Sequence, residues 1–347
     1  MKIAVINSGS SSIKFKLFCM QKNKVLSSFL IENIGEDASD IKTHKQGLEK
    51  IFKTIQKVDM IGHRVVHGGE YFNDATIIDD NVMQKIEELI PLAPLHNGAN
   101  LLGIKVIKEI FPDIPQVAVF DTSFHSTMPK EAYLYALNYE MYEKHYIRRY
   151  GFHGTSHSYI LKQSAKELGQ AVKDTNIISL HLGNGASICA IKNGKSIDTS
   201  MGFTPLEGLV MGSRCGDIDP AIVLYMQKEL GMSVDEVDKE LNKNSGLIGI
   251  CSNNDVRKII NSDDEKSKLA LDIMIRRIQK YIGSYMVLLE RVDAIVFTGG
   301  IGENSTYIRD KILDNLVFKT IKNLVIKTNE ELEIADKCLV IFSEKLN

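Results

Sequence analysis

Arginine is scarce in this chain of 347 residues, with 9 arginines among 42 basic residues, so the surroundings of each one are informative. Arg64 stands between apolar residues in the stretch 63–69. A guanidinium group binds a carboxylate or phosphate through two parallel hydrogen bonds, and a buried arginine needs an anionic partner. For Arg64 that partner could be a substrate.

A second arginine, Arg214, lies in the glycine-containing loop 211–220. Its guanidinium could bind an anion there, since arginine is well suited to recognise carboxylate or phosphate. It could equally fix its own loop through Asp217 or Asp219. The residues alone leave both interpretations open.

Two further polar residues could take part in chemistry. His153 precedes Gly154, where the backbone could bend around a ligand, although the same residues could form a helix start with a structural histidine. Asp121 follows the apolar stretch 116–120, at the strand end where open α/β sheets bind ligands. It could equally be an ordinary turn residue.

His63 and His67 are four residues apart, a spacing that binds zinc when it occurs on a helix. The glutamate of the H-E-x-x-H motif is missing, and Val65 and Val66 favour a strand. We therefore interpret both histidines as core or hydrogen-bonded residues, and a metal-dependent hydrolase as the weaker alternative.

A pattern near the N-terminus occurs again in the middle of the chain. In residues 5–13 and 180–188, an apolar strand leads into a turn of small residues that carries Asn7 or Asn184, and a second apolar strand follows. Small residues let backbone N–H groups approach an anion closely. The repeat predicts a duplicated fold whose two lobes close on one nucleotide.

Glycine-rich stretches that favour a nucleotide site occur at 7–12, 183–187, 212–216 and 299–304. The last lacks the Gly-Lys-Ser/Thr ending of a Walker A loop and the spacing of a dinucleotide fingerprint. We expect it to form a turn between a strand at 294–297 and a helix that begins near Ser305. That placement suits a ligand at a helix N-terminus.

The hydrophobic periodicity predicts strands and helices in the manner of an α/β protein. Strands are expected at 2–7, 13–19, 116–120, 177–182, 188–191 and 294–297. Helices are expected at 46–58, 82–90, 156–168 and 263–291, with a further start at 219–220 and a capping box at 233–236. The length favours two domains, and without a low-complexity linker we expect packed lobes.

The composition is ordinary for a soluble globular protein, with 44% hydrophobic residues, 25% charged residues and a formal charge of -2. This charge gives no indication of nucleic acid or a membrane surface as a partner. The five cysteines are scattered without a C-x-x-C pair and indicate reduced thiols. With no recognisable signal peptide or membrane span, we expect a cytoplasmic protein.

Taken together, the motifs resemble those of the acetate and butyrate kinase family, within the sugar kinase, Hsp70 and actin superfamily. The matching stretches follow the family's order from residue 3 to about 336, and include 7–12, 63–69, 94–97, 120–125, 149–157, 181–187, 201–220 and 300–304. The resemblance therefore covers nearly the whole chain.

The resemblance implies a duplicated ribonuclease H-like fold of the actin-like ATPase type, with two lobes around a nucleotide cleft. The first domain, residues 1–125 plus 331–347, would bind the acyl substrate and the metal. The second, residues 126–330, would bind the nucleotide and join two chains in a homodimer. The implied reaction is reversible in-line transfer of the ATP γ-phosphoryl group to acetate, giving acetyl phosphate and ADP, with Mg2+ or Mn2+.

The resemblance also implies roles for single residues. Arg64 and Arg214 would hold the substrate carboxylate and the transferring phosphoryl group. His153 would donate to phosphoryl oxygens, and Asp121 would orient an arginine or the metal shell. Three further sets are implied: Asn7 and Glu330 for the metal; Val66, Leu95, Phe152 and Pro205 for the acetate methyl group; and Lys14, His181, Leu182, Gly183, Asn184, Gly185, Asp255, Val256, Arg257, Gly300, Ile301, Gly302, Glu303 and Asn304 for the nucleotide.

Three positions depart from the family pattern. Gly98 stands where proline is usual, and Ser213 and Cys215 flank Arg214 in place of threonine and serine. Cys215 adds a candidate oxidation-sensitive thiol.

Two alternatives stay open. A propionate or butyrate kinase of the same family is one, because a methylene group is worth only about 1–3 kcal/mol of discrimination. An actin-like or Hsp70-like conformational ATPase is the other. It would share the two asparagine hairpins, but it would have no need of Arg64, Arg214 and a small apolar pocket.

Overall fold

The computed structural model describes residues 1–37, 39–55, 57–94, 96–314 and 317–346. The chain divides into two compact units. Unit 1 comprises Met1–Ser126, Gly154–Ser158 and Asn329–Asn347, and unit 2 comprises Thr127–His153 and Tyr159–Thr328.

Unit 1 is built on a mixed sheet with the strand order β3-β2-β1-β4-β6-β5. The first three strands form an antiparallel meander, and β4 and β6 continue the sheet parallel to β1. The strands are β1 (Lys2–Ser8), β2 (Ile13–Cys19), β3 (Lys24–Ile31), β4 (Met60–Val65), β5 (Thr76–Ile77) and β6 (Gln116–Phe120).

Helices cover both faces of this sheet. Ala4 and Val5 are consecutive on β1 and fully buried in different apolar clusters, as expected for a central strand. Helices α1 (His44–Phe52) and α3 (Asn97–Ile110) pack on one face and α14 (Glu330–Leu346) on the other, while α2 (Asp80–Glu88) packs on α3. A Cβ at Gly62 would lie 2.7 Å from Cys338 Sγ, so glycine permits the close approach of α14 to β4.

Unit 2 is built on a second sheet with the strand order β9-β8-β7-β10-β11. Here too the first three strands form an antiparallel meander, and β10 and β11 run parallel to β7. The strands are β7 (Ile177–Leu182), β8 (Ala186–Lys192), β9 (Lys195–Thr199), β10 (Ala294–Thr298) and β11 (Asn323–Val325).

The long helix α11 (Glu265–Leu289) packs against β7 and β8. The other helices of unit 2 are α4 (Lys130–Tyr133), α5 (Glu140–His145), α7 (Ala221–Lys228), α8 (Val234–Lys243), α9 (Gly246–Cys251), α10 (Val256–Ile260), α12 (Gly299–Asn304) and α13 (Thr306–Leu313). Helix α6 (Gly154–Leu168) contributes its first turn to unit 1 and the remainder to unit 2. Short 3-10 turns lie at Met20–Lys22, Ile90–Leu92, Ser123–Thr127, Val172–Asp174 and Phe318–Thr320.

The two sheets share one order of five strands, apart from the short edge strand β5, which confirms the expected duplication. The capping box at Ser233 and Glu236 is also present. Helix α1 ends at Phe52, earlier than expected. Along the described residues no helix combines the length and the apolar character that crossing a membrane requires.

The expected turn at 299–304 is wrong, because this stretch forms helix α12. The Glu303 carboxylate accepts hydrogen bonds from the Gly299 N–H at 3.0 Å and from the Thr298 hydroxyl at 3.3 Å, which closes the segment into a helical turn. Glycine has a low helix propensity, so its abundance favoured a turn. Ser305 caps the next helix, α13, as expected.

Candidate functional site

In unit 1 the parallel pairing of β4 with β6 brings Arg64 and Asp121 together. Arg64 pairs with Val119 in the register, and Asp121 follows directly after β6. Arg64 Nη2 donates to Asp121 Oδ2 at 2.5 Å, and the Thr155 hydroxyl donates to Oδ1 at 2.8 Å. Asp121 is only 1% exposed. It therefore fixes the orientation of the Arg64 guanidinium.

Glu330, the first residue of α14, adds a second carboxylate to this cluster. Its Oε2 lies 3.9 Å from Arg64 Nε, a buried nitrogen with no hydrogen-bond partner among the described residues. Burial alone would lower the pKa of Arg64, but the Asp121 and Glu330 carboxylates outweigh it and raise that pKa. Burial, with the charges of Asp121 and Glu331, raises the pKa of Glu330. The cluster therefore favours an added cation.

The expected metal ligands suit a hard cation. Asn7 on β1 and Glu330 on α14 offer amide and carboxylate oxygens, which Mg2+ prefers. In the parts of the chain that the structure describes, no three His, Cys, Asp or Glu residues are grouped to enclose a metal. Mg2+ commonly uses one or two protein oxygens together with substrate phosphates, so these donors fit.

Lys14, expected at the nucleotide, lies on β2 and forms an ion pair with Glu331. Lys16 Nζ reaches the same carboxylate at 3.0 Å. Burial raises the pKa of Glu331, but the two lysines outweigh it, and the net pKa is lowered. The adjacent glutamates at the start of α14 therefore have opposite electrostatic surroundings.

Two amides on α3 position the chain that follows Arg64, and our sequence reasoning missed both. Asn100 accepts from the Val66 N–H at 3.1 Å and donates to the Ser8 carbonyl at 2.7 Å. Asn97 accepts from the His67 N–H and donates to the His67 carbonyl, both at 3.0 Å. Asparagines three residues apart on one buried helix face were the available signal.

The two histidines near Arg64 have structural partners. His63 Nε2 lies 2.7 Å from Gln116 Oε1, and burial lowers the pKa of His63 to about 4. His67 Nδ1 accepts a hydrogen bond from the Gly69 N–H at 3.0 Å. These contacts confirm the interpretation of both residues as hydrogen-bonded core histidines.

In unit 2, Arg214 has no carboxylate partner among the described residues. Its Nη1 donates to the Pro205 carbonyl at 2.8 Å and lies 3.6 Å from Met211 Sδ. Asp217 instead accepts from the Tyr281 hydroxyl at 2.8 Å, and Asp219 accepts from a backbone N–H. The alternative in which either aspartate holds Arg214 is therefore wrong. Burial lowers the pKa of Arg214, so an anion would relieve an electrostatic cost.

His153 lies beside this arginine. Its φ of 55° is left-handed, a region that non-glycine residues rarely occupy, and it precedes α6. Its ring stacks on His181 at 4.4 Å, and Nδ1 lies 2.9 Å from the Ser187 hydroxyl. If that hydroxyl donates, Nε2 carries the proton. A Cβ built on Gly185 would lie 3.6 Å from His153 Nε2 and 3.7 Å from Arg214 Nη1, so both side chains flank this glycine.

The Asn184 turn is packed against the Arg214 loop. The Gly212 N–H donates to the Asn184 carbonyl at 3.1 Å, and a side chain at Gly212 would collide with the Asn184 amide oxygen. Asn184 also borders a cavity of about 610 Å³ within unit 2. The cavity is lined by Gly183, Asn184, Asn254, Asp255, Val256, Arg257, Ile260, Gly300, Ile301, Asn304 and Ser305.

Most of the expected nucleotide residues line this cavity, and Asn254, Ile260 and Ser305 are additions. Asn254 and Ser305 are chain neighbours of the expected residues Asp255 and Asn304, and Ile260 lies on helix α10 with Val256 and Arg257. This proximity was the available signal for them. Other expected residues lie elsewhere. Leu182 is buried in the core. The Glu303 carboxylate accepts from the Gly299 N–H at the start of α12 and from the distant Thr328 N–H, both at 3.0 Å.

The apolar residues expected around a methyl group are distributed over both units. Val66 is buried in unit 1, while Phe152 is buried and Pro205 half-buried in unit 2. Leu95 lies outside the described residues.

Among the departures from the family pattern, Gly98 has free space around it and Cys215 is not activated as a thiolate. A Cβ at Gly98 would meet no atom within 4 Å. Burial raises the pKa of the Cys215 thiol, which disfavours the reactive thiolate.

The repeated strand order and the polar groups at the strand ends define the class of protein: a duplicated ribonuclease H-like fold of the actin-like ATPase type. The model of the acetokinase family matches residues 2–54 and 38–341. The chain belongs to this family.

Individual relatives agree with this assignment. An acetate kinase from Sulfurimonas denitrificans is 55% identical over 96% of this chain and 98% of its own length. The crystal structure of Porphyromonas gingivalis acetate kinase matches with a TM-score of 0.93 and 38% identity, over 98% of this chain and 99% of that one. A propionate kinase structure from Francisella tularensis matches with a TM-score of 0.91 and 44% identity, over 97% of this chain and 98% of that one.

Proposed function

We propose that this protein is an acetate kinase, a phosphotransferase that moves the γ-phosphoryl group of ATP to acetate and back. The observation that carries the proposal is the surroundings of Arg214. This half-buried guanidinium has no carboxylate partner among the described residues and lies with His153 beside Gly185. The adjacent residue, Asn184, borders the 610 Å³ cavity. A cationic group that has no anionic partner and lies near a cavity suits the negative charge of a transferring phosphoryl group.

In the proposed reaction, an acetate oxygen forms a bond to the γ-phosphorus. The bond from that phosphorus to the β,γ-bridging oxygen breaks, and ADP leaves with the electron pair. Acetate is already nucleophilic at pH 7, so the site needs positioning and charge stabilisation rather than a strong base. Arg214 and His153 would donate to the phosphoryl oxygens. Arg64, whose orientation Asp121 fixes, would bind the carboxylate.

Mg2+ is part of the proposal, with Mn2+ as a substitute. Asn7 and Glu330 would hold it, because both supply oxygen donors. Burial and the neighbouring carboxylate charges raise the pKa of Glu330, which favours a cation beside it. When bound, the ion would neutralise charge on the nucleotide phosphates.

A hydroxamate assay of acyl phosphate tests the proposal directly. The purified protein is incubated with Mg2+, ATP and hydroxylamine, together with acetate, propionate or butyrate in parallel. We expect acyl phosphate from acetate at the highest kcat/KM. The absence of acyl phosphate from all three acids would refute the assignment to carboxylate kinases.

Propionate kinase is the second candidate, because a propionate kinase structure is 44% identical to this chain. One methylene group changes binding by about 1–3 kcal/mol, so the two acids should differ by roughly 10-fold to 200-fold in kcat/KM. A preference for propionate in the same assay would reverse the choice between the two and leave the reaction type intact.

We further propose a homodimer and a cytoplasmic location. Helix α7 supports the first: none of its residues is buried, and Ile222, Leu224 and Tyr225 are 41%, 53% and 58% exposed. An apolar helix normally buries one face. All five cysteines are free in the structure, as in proteins of a reducing compartment.

A further inference from the structure

Tyr135, Arg149 and Glu207 form a hydrogen-bonded triad in unit 2 to which none of the roles above refers. Glu207 Oε1 accepts from Arg149 Nη2 at 2.5 Å, and Oε2 accepts from the Tyr135 hydroxyl. The arginine side chain is only 16% exposed and the glutamate 30%. Removing such charges from water costs free energy, so we expect the hydrogen bonds of the triad to stabilise a particular local structure.

The triad holds both ends of one loop, residues 199–207, which we call the Pro205 loop. Arg149 Nη1 donates to the carbonyls of residues 199, 200 and 201, at 2.9, 3.2 and 3.2 Å. The Tyr135 hydroxyl accepts from the Phe203 N–H at 2.9 Å. Glu207 is the last residue of this stretch, and the irregular chain continues from it to α7. The segment from Phe203 to Glu207 is therefore fixed at both sides.

Pro205 lies in the middle of that fixed segment. Its carbonyl accepts the hydrogen bond of Arg214 Nη1 at 2.8 Å. The close packing leaves little room for adjustment, because a side chain at Gly202 would collide with both Glu207 and Tyr135. A proline ring also fixes its own φ. The triad thus determines where the carbonyl that orients Arg214 stands.

We propose that Tyr135, Arg149 and Glu207 are positioning residues for phosphoryl transfer, acting through the Pro205 carbonyl on the guanidinium of Arg214. The inference rests on the proposed function of Arg214. A donor oriented before the charge develops stabilises a transition state more than one that must reorganise. Because Arg214 has no carboxylate partner, the Pro205 carbonyl and the Met211 sulfur supply its orientation in the described structure.

The protonation states suit this arrangement. Burial raises the pKa of Tyr135, and the Glu207 charge raises it further, so the hydroxyl keeps the proton that it donates. Burial lowers the pKa of Arg149, but the Glu207 carboxylate outweighs it and keeps the guanidinium charged.

Tyr135→Phe tests the inference with little change in volume, and Tyr150→Phe is the matched control. Tyr150 is a more deeply buried tyrosine of unit 2, and its hydroxyl donates to the Tyr146 carbonyl, outside the Pro205 loop. Its backbone N–H bonds the Gly202 carbonyl, a contact that the substitution keeps. We expect kcat to fall roughly 10-fold to 100-fold in Tyr135→Phe, with both KM values within about twofold of wild type. Tyr150→Phe should lower Tm by about as much as Tyr135→Phe does, but it should keep the wild-type kcat. Equal kcat values in the two variants, or a parallel rise of KM, would overturn the inference.

A double-mutant cycle separates positioning from general stability. In an Arg214→Lys background, Tyr135→Phe should lower kcat by less than about twofold more, because both changes act on one interaction. The same fold-loss as in the wild-type background would contradict action through Arg214. Glu207→Gln gives the same readout if Tyr135→Phe does not fold. Wild-type acyl phosphate formation is measured first. Its absence refutes the kinase, whereas an active wild type with additive variants refutes only the positioning role.

Discussion

Arg214 and Arg257 are arginines of unit 2 in opposite electrostatic surroundings. Arg214 is half-buried and burial lowers its pKa, whereas the Arg257 side chain is 90% exposed and binds both oxygens of Asp255 at 2.9 Å. We expect Arg214→Ala to lower kcat by about 10²–10³-fold, as for loss of a transition-state donor. Arg257→Ala should mainly raise KM for ATP, by less than about tenfold. Steady-state kinetics of both variants decides, and a retained kcat in Arg214→Ala would remove its catalytic role.

His63 predicts a pH dependence of stability. Burial lowers its pKa from the usual 6.5 to about 4, so the folded protein holds the neutral ring. Between pH 6.5 and about 4 the unfolded chain binds a proton on this histidine and the folded protein does not, so protonation favours unfolding. The stability is therefore fully present above pH 6.5 and is lost as the pH falls to about 4. At about 1.4 kcal/mol per pKa unit, the loss is roughly 3 kcal/mol.

Denaturant unfolding at pH 7, 5.5 and 4.5 measures this dependence. His63→Gln should flatten the acid side of the profile, because its amide does not titrate. His145→Gln changes an exposed histidine and should leave the profile as in wild type. Identical acid losses in wild type and His63→Gln would show that other groups cause them.

At the scale of elements, the first turn of α14 carries two glutamates with opposite shifts. Glu330 is buried among carboxylates, which raises its pKa, and its charge therefore costs stability at pH 7. Glu331 is paired with Lys14 and Lys16, which lowers its pKa and stabilises the fold. Without Mg2+, we expect Glu330→Gln to raise Tm and Glu331→Gln to lower it.

Differential scanning calorimetry at pH 7 in EDTA compares these two variants, and each is the control for the other. The same element then links stability to activity, because Glu330 is also the proposed metal residue and Glu330→Gln should lose acyl phosphate formation. A lowered Tm in Glu330→Gln would mean that its contact with Arg64 outweighs the cost of burying its charge.

The sheets were largely predictable because their strands carry their own signal. Ala294 to Phe297 form a continuous apolar run, and every residue of β10 is buried. Such a run is typical of a central parallel strand. The prediction of a turn at 299–304 was wrong. The Glu303 carboxylate that closes α12 also accepts a hydrogen bond from Thr328, a residue far away in the chain, and such a contact cannot be read from the local sequence.

The site was predictable in its residue types and less so in its contacts. Arg64 and Asp121 were recognisable as polar residues beside apolar strands. Their hydrogen bond, however, joins residues 57 apart in sequence and depends on the pairing of β4 with β6. The role of the Pro205 carbonyl could not be predicted from the sequence, because every residue has a carbonyl. Only the folded loop brings this one within hydrogen-bond distance of Arg214.

At the scale of the whole molecule, α7 leads to a prediction about assembly. Its apolar side chains Leu224 and Tyr225 are more than half exposed, and Leu230 beside them is 60% exposed. Large apolar side chains left exposed along one short stretch of chain often mark an interface. We expect sedimentation velocity to show a dimer of the wild-type chain.

The double substitution Leu224→Glu with Tyr225→Glu should shift this dimer to monomer, because it would bury two unpaired charges in the interface. Leu30→Glu is the matched control, since Leu30 is 62% exposed on β3 of unit 1 and lies far from α7 in sequence. Circular dichroism would verify that both variants are folded. A monomeric wild type, or a dimer that survives both charges on α7, would place the interface elsewhere or remove it. A dimer lost in Leu30→Glu alone would assign the interface to unit 1.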